Sequence, residues 1–222
     1  MIRAVPRLAG FTAELSFQKA KPFSKEYLDD IAIWLTDPDT GFGLRPEQLR
    51  VRHTDIMFDY ELTAVLFNGN GMLRYNSRGA TLNATGARTV EDIRLLQDAV
   101  FRFIQKLGEF DPSIFSISAN AFAQTESTEA RNHFLEQFRL SEEAILPGTL
   151  AYLKLPEWPY PIRVALEGAV SDDDNLFLAW STRIENSTQW PEMLETLPHV
   201  FVRSAKCLNV SLEHDLPPPP LQ

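Results

Sequence analysis

A single cysteine, Cys207, is all the chain has, so it can build neither an intrachain disulfide nor a cysteine-based structural zinc site. That scarcity fits a reducing compartment. No run of about 18 consecutive apolar residues occurs, which excludes a bilayer-spanning helix on length. The stretch from Met1 to Phe11 carries Arg3 and Arg7 but is interrupted by Pro6 and Gly10, with no apolar core of signal-peptide length. The expectation is a cytoplasmic protein with no membrane association. Also missing are a P-loop, a dinucleotide-binding glycine fingerprint, a Gly-x-Ser-x-Gly elbow and a His-Glu-x-x-His zinc helix. The familiar enzyme classes lose their usual support, and an enzyme here would need a site assembled from distant residues.

Positive charge is scarce in one half of the chain. Residues 1–110 hold 14 Lys and Arg against 14 Asp and Glu, whereas residues 111–222 hold 7 against 16, so the whole net charge of -9 arises in the second half. An acidic balance argues against general nucleic-acid affinity, which needs clustered cations to displace counterions from phosphates. Such a surface gives solubility and also suits a basic partner.

What is present is a globular composition, 44% hydrophobic, in 222 residues. Phe11 to Phe17 alternates like a half-buried strand. Ser24 is placed to cap a helix that runs to Thr36 with Leu28, Ile31, Ala32 and Leu35 on one face. The turn-rich segment 37–43 reads as a mobile surface loop. A strand over 56–67 meets Asn68-Gly69-Asn70-Gly71, a tight-turn signal, and returns over 72–82. From Thr89 to Leu107 the 3.6-residue spacing of Leu96, Val100, Phe103 and Ile104 marks the clearest helix. Strand-like 114–123 and a helix capped by Ser127 follow. Strands over 149–155 and 162–170 flank a proline-rich bend, 156–161, and another runs over 176–184. A last helix from Trp190 toward Leu208 should break or kink at Pro198, before a short strand near 209–213. Cys207 reads as a buried apolar position.

The order strand, helix, hairpin, long helix occurs twice, offset by about 100 residues. The expected fold class is α+β, with two pseudo-repeated halves (1–110 and 111–214) forming antiparallel sheets with helices packed on one side, and a proline-rich tail at 215–222. The layout of residues 11–123 resembles a sporadically distributed bacterial protein family of unknown function with duplicated α+β halves. That family carries Arg-Tyr-Ile-Asn in the strand after its long helix, where this chain reads Ile117-Ser118-Ala119-Asn120-Ala121-Phe122. The resemblance implies a fold and supplies no active site.

Three local groups are candidate sites. His53 with Asp55 and Asp59 would share one strand face at a period of two, where an imidazole beside carboxylates can act as general base or metal ligand; the plain alternative is a solvated strand entry. Trp158 and Tyr160, set among prolines, can anchor a partner at small entropic cost, or pack over their own sheet. Asp172, Asp173 and Asp174 lack the alternating oxygen ligands of a calcium loop and read as an acidic surface turn that would join Trp158 and Tyr160 in binding a partner. Arg45, Arg50, Arg52, Arg74, Arg78 and Arg88 gather around the first hairpin, where acids nearby balance them.

The expected function is therefore a non-enzymatic macromolecular interaction protein, an adaptor, inhibitor or immunity-type partner, with no metal and no cofactor. It would bind another protein, a basic one if the acidic half is used, and a homo-oligomer is compatible with the sequence. A small-molecule enzyme using His53, and an acidic nucleic-acid mimic, are the alternatives.

Overall fold

The computed structural model describes residues 1–17, 24–53, 60–85, 90–107, 112–139, 141, 147–170, 174–184 and 190–213. They form an α+β fold with one large antiparallel sheet and four helices. Its spine is the pair of β1 (Ile2–Phe17) and β6 (Pro112–Thr125), antiparallel along nearly their whole length. Outward from β1 lie β5 (Gly79–Thr85), β4 (Gly71–Asn76), β3 (Tyr60–Leu66) and β2 (Leu49–His53). Outward from β6 lie β9 (Asn175–Ile184), β8 (Ile162–Gly168) and β7 (Gly148–Leu153), while β10 (Val210–Leu212) runs parallel beside the start of β1.

β1 begins at Ile2 and not at Phe11, so the stretch interrupted by Pro6 and Gly10 belongs to the central strand. The reason it escapes a periodicity reading is a phase shift. Ile2 and Ala4 are buried, then Phe11, Ala13 and Leu15, and the odd-for-even exchange falls at an irregularity between Leu8 and Gly10 where β1 slips one residue against β6. Pro6 is tolerated because the side of β1 away from β6 is paired only at residues 2–4 by β10 and from Gly10 onward by β5.

The single returning strand expected over 72–82 is two strands. β4 and β5 pair through a turn at Ser77 and Arg78, where the Asn76 side chain accepts from the Arg78 N–H (2.9 Å). Gly79 has no side chain because a Cβ there would collide with the Leu15 carbonyl of the neighbouring strand.

All four helices bury their apolar stripes against one face of this sheet. α1 (Lys25–Thr36) starts as expected, with Ser24 Oγ accepting from the Tyr27 N–H (3.2 Å), and buries Leu28, Ile31 and Leu35. The loop after it is held by Asp37, whose carboxylate accepts from the backbone of Asp39 (2.8 Å) and from Thr40 Oγ1 (2.8 Å); those bonds keep its carboxyl below the ordinary value. Arg102 Nη1 also donates to the Gly41 carbonyl (3.1 Å), so this loop is tied to the helix layer. α2 (Val90–Lys106) buries Leu96, Val100, Phe103 and Ile104, and α3 (Thr128–Glu136), capped by Ser127, buries Phe134 and Leu135. Tyr75 stands at the centre of this core, edge-on to Phe103 (5.5 Å) and bonded to the Tyr27 hydroxyl (3.0 Å); burial raises its pKa above the ordinary phenol value, helped by that bond.

α4 (Trp190–Cys207) continues through Pro198 rather than ending there. A proline at 198 removes the N–H that would bond to the carbonyl four residues earlier, at Leu194. Gln97 of α2 replaces it, its Nε2 donating to Leu194 O at 2.7 Å. The bond satisfies a buried carbonyl and fixes the two long helices to one another. Cys207, on the last turn, is exposed, contrary to expectation. Gln97→Leu is expected to cost about 1–3 kcal/mol by leaving that carbonyl unpaired. Adding Pro198→Ala, which restores the N–H, should recover most of the loss in urea denaturation; no recovery would contradict this reading.

Candidate functional site

Strand alternation that sends one set of side chains into the core sends the other set to the opposite face, and among the described residues no helix lies on that face. From β3 to β9 none of its side chains whose burial is described is buried. The register defines what stands there. One cross-strand row reads Arg50, Thr63, Arg74, Thr81, Glu14, Ser116, Arg183 from β2 to β9. Neighbouring strands are about 4.8 Å apart, so successive charged groups in that row recur roughly every 10 Å with short hydroxyl side chains between them.

The next row carries Thr12, Ser118 and Ser181 at the centre, with Arg163 and Tyr152 toward the β7 edge. Past the slip in β1, Arg7 stands opposite Phe122, and Phe122 opposite Phe177, with the two rings 5.6 Å apart. The result is a floor of small polar groups, one aromatic pair, and projecting arginines.

Charge on this face departs from that of the whole chain. Arg52 is paired with Glu61 (2.7 Å) and Arg3 with Glu213 (3.2 Å). Arg7, Arg50, Arg74 and Arg163 are exposed and have no ion pair among the described residues, while Glu14 and Glu167 are the remaining described acids on the face. The surface is cationic within a chain of net charge -9. Glu142, Glu143, Asp172, Asp173 and Glu185, which contribute to the acidic surplus of the sequence, lie outside the described residues.

The candidates read from sequence are dispersed. His53 ends β2 on the helix-bearing face, exposed, its ring edge-on to Tyr60 at 4.9 Å; Asp55 and Asp59 lie outside the described residues. Trp158 is no surface anchor. It is 1% exposed, and its Nε1 donates to Thr182 Oγ1 (3.1 Å), which in turn donates to the Pro161 carbonyl (3.1 Å), so the proline-rich bend is packed down by this ring. Tyr160 is half-buried against the same core. Asp174 is a structural turn residue: its carbonyl accepts from Thr125 N (3.0 Å) and Oγ1 (2.7 Å), and its carboxylate from Gln124 (3.2 Å). Asp172 and Asp173 lie outside the described residues.

A groove of about 1070 Å³ opens at the other end of the first strands, lined by Phe42, Leu44, Arg45, Phe67, Asn70 and Leu95 among others. Phe67 and Asn68, at its rim, both have left-handed backbones (φ 51° and 53°), and the Phe67 ring lies where a side chain on Gly71 would be. Among the described residues, the groups whose pKa is displaced, Glu26, Asp37, Tyr75 and Glu129, lie outside this lining. Among the described residues no three His, Cys, Asp or Glu side chains converge to hold a metal, and no helix is long and apolar enough to cross a membrane.

No protein-family model and no curated protein matches the chain. Among solved structures it is similar to the crystal structure of the Trypanosoma brucei AdoMetDC-delta26 monomer, at 9% identity and a TM-score of 0.33, over 82% of this chain and 66% of that one, just under two thirds of its length. A likeness of that size carries neither fold nor activity across.

Trp158→Ala is expected to destabilise the protein by about 3–5 kcal/mol, the usual loss for a buried large aromatic. Tyr160→Ala should cost clearly less. Urea midpoints of the two variants check the ordering; equal, small losses would show Trp158 to be peripheral.

Proposed function

We propose that this chain is a non-enzymatic interaction protein and that the uncovered face of its sheet is where a partner docks. The observation that carries the reading is the contrast on one molecule: Arg7, Arg50, Arg74 and Arg163, exposed and without an ion pair among the described residues, on a broad floor of mostly short side chains, in a protein whose overall charge is negative. Arginine suits carboxylates because its planar fork donates in pairs. Short floor residues let a partner approach the backbone closely. The partner is therefore an acidic protein surface, in place of the basic one that the charge of the second half suggested. Complementary charge sets its on-rate and choice more than its affinity, with Phe122 and Phe177 adding an apolar contact.

The same reading includes an internal duplication. With β2 set aside, β1, α1, β3, β4, β5, α2 and β6, α3, β7, β8, β9, α4 follow the same order, and the first strand of each set lies beside its partner at the centre of the sheet. That correspondence supports two pseudo-repeated halves related across the β1 and β6 pair.

The test is to purify the tagged full chain from its host after nuclease treatment, identify the stoichiometric partner, and compare it with Arg50→Glu, Arg74→Glu, Arg163→Glu. The triple variant should keep its fold and melting behaviour while binding falls by about 100-fold, a cost of about 2.7 kcal/mol. Undiminished binding, or a partner removed by nuclease alone, would overturn the proposal.

A further inference from the structure

The strand path from β2 to β7 ends in two edge strands, and they are unlike. β2 carries Arg50, Arg52 and His53, charged or polar groups that discourage another strand from pairing. β7 reads Gly-Thr-Leu-Ala-Tyr-Leu, with no charge and no proline, and among the described residues it pairs with β8 alone. Leu150 and Tyr152 project from it on the uncovered face at 51% and 71% exposure, the opposite of what a protected edge presents. We infer that β7 docks on the β7 strand of a second copy of this chain, antiparallel, about a two-fold axis at Ala151.

Several features fit that occupant and that register together. Opposed residues of antiparallel strands share a face, so the pairing must join even to even and odd to odd positions. Centred on Ala151, it sets Leu150 beside Tyr152 of the second copy and the reverse, covering both apolar side chains twice. It also sets Gly148 opposite Lys154 of the second copy. Glu167 of β8 lies on the other side of Gly148, and a side chain there would crowd Glu167 and the Leu166 carbonyl. Glu167 and the second copy's Lys154 thus stand two strands, about 10 Å, apart with only a glycine between them, within reach of two long, exposed side chains. The symmetry repeats this charge pair. Assembly stops at two copies because the β2 edge is guarded.

Sedimentation equilibrium of the full chain over a range of concentrations tests the inference. The wild type should associate to a dimer, and Leu150→Lys with Tyr152→Lys should weaken association by at least about tenfold while unfolding unchanged, since both side chains are exposed. Lys154→Glu and Glu167→Lys should each weaken the dimer, and the two together should restore it. A wild type that stays monomeric up to roughly 100 μM, or Lys variants that dimerise as before, would overturn the inference; a dimer that the exchanged charges fail to restore would overturn its register.

Discussion

Everything in this molecule hangs from the antiparallel pairing of β1 with β6. Each strand contributes a residue to nearly every rung, from Ala4 opposite Thr125 to Phe17 opposite Pro112, and each also carries the next strand outward. Neither the β2 to β5 group nor the β7 to β9 group has another connection to the other within the sheet. The one-residue slip between Leu8 and Gly10 keeps this pairing continuous while the buried positions of β1 change from even, Ile2 and Ala4, to odd, Phe11, Ala13 and Leu15. Above the sheet, the Gln97 bond to Leu194 does for the helices what β1 and β6 do for the strands, joining elements drawn from the two halves of the chain. A proline that would ordinarily interrupt a helix becomes, through that bond, a point of attachment.

One constraint produces both the core and the proposed docking face. Because the side-chain period of a strand is two, committing Leu62, Leu73, Leu82, Ala13, Ile117, Trp180 and Val164 to the helices commits their neighbours to the other side. Those neighbours are mostly Thr, Ser, Asn, Arg and Glu, with Met72, Ala165 and Ala179 among them, too polar to hold a second sheet by hydrophobic burial. A face of this composition is stable in water and available to a charged partner. The groove near Phe67 and the exposed Cys207 lie away from it, and neither is needed for the binding reading.

Local chemistry was legible in the sequence and distant pairing was not. Ser24 and Ser127 cap helices as their spacing predicts, since a cap is settled within four residues. The apolar stripe of α2 is likewise a local pattern. Trp158 misleads because its surroundings in sequence are prolines and its surroundings in space are Thr182 and the core, 24 positions away. The split of β4 from β5 was signalled by Asn76 and Gly79, but weakly, since Gly79 is required by the approach of Leu15 from another strand. For Pro198 nothing local announces that Gln97 will supply the missing donor. The arginine face was visible only as scattered residues, among them Arg50 and Arg74; the register alone places them in one row with Arg183, more than 100 residues further on.

The central claim is that β1 and β6 are the last elements to open. Native-state amide hydrogen exchange measures this directly, because exchange through global unfolding reports the most stable unit. The account predicts that amides over Phe11–Leu15 and Ile117–Ala121 exchange slowest and share one opening free energy. It is contradicted if β1 and β6 exchange early while the strands on either side of them remain protected as two independent units.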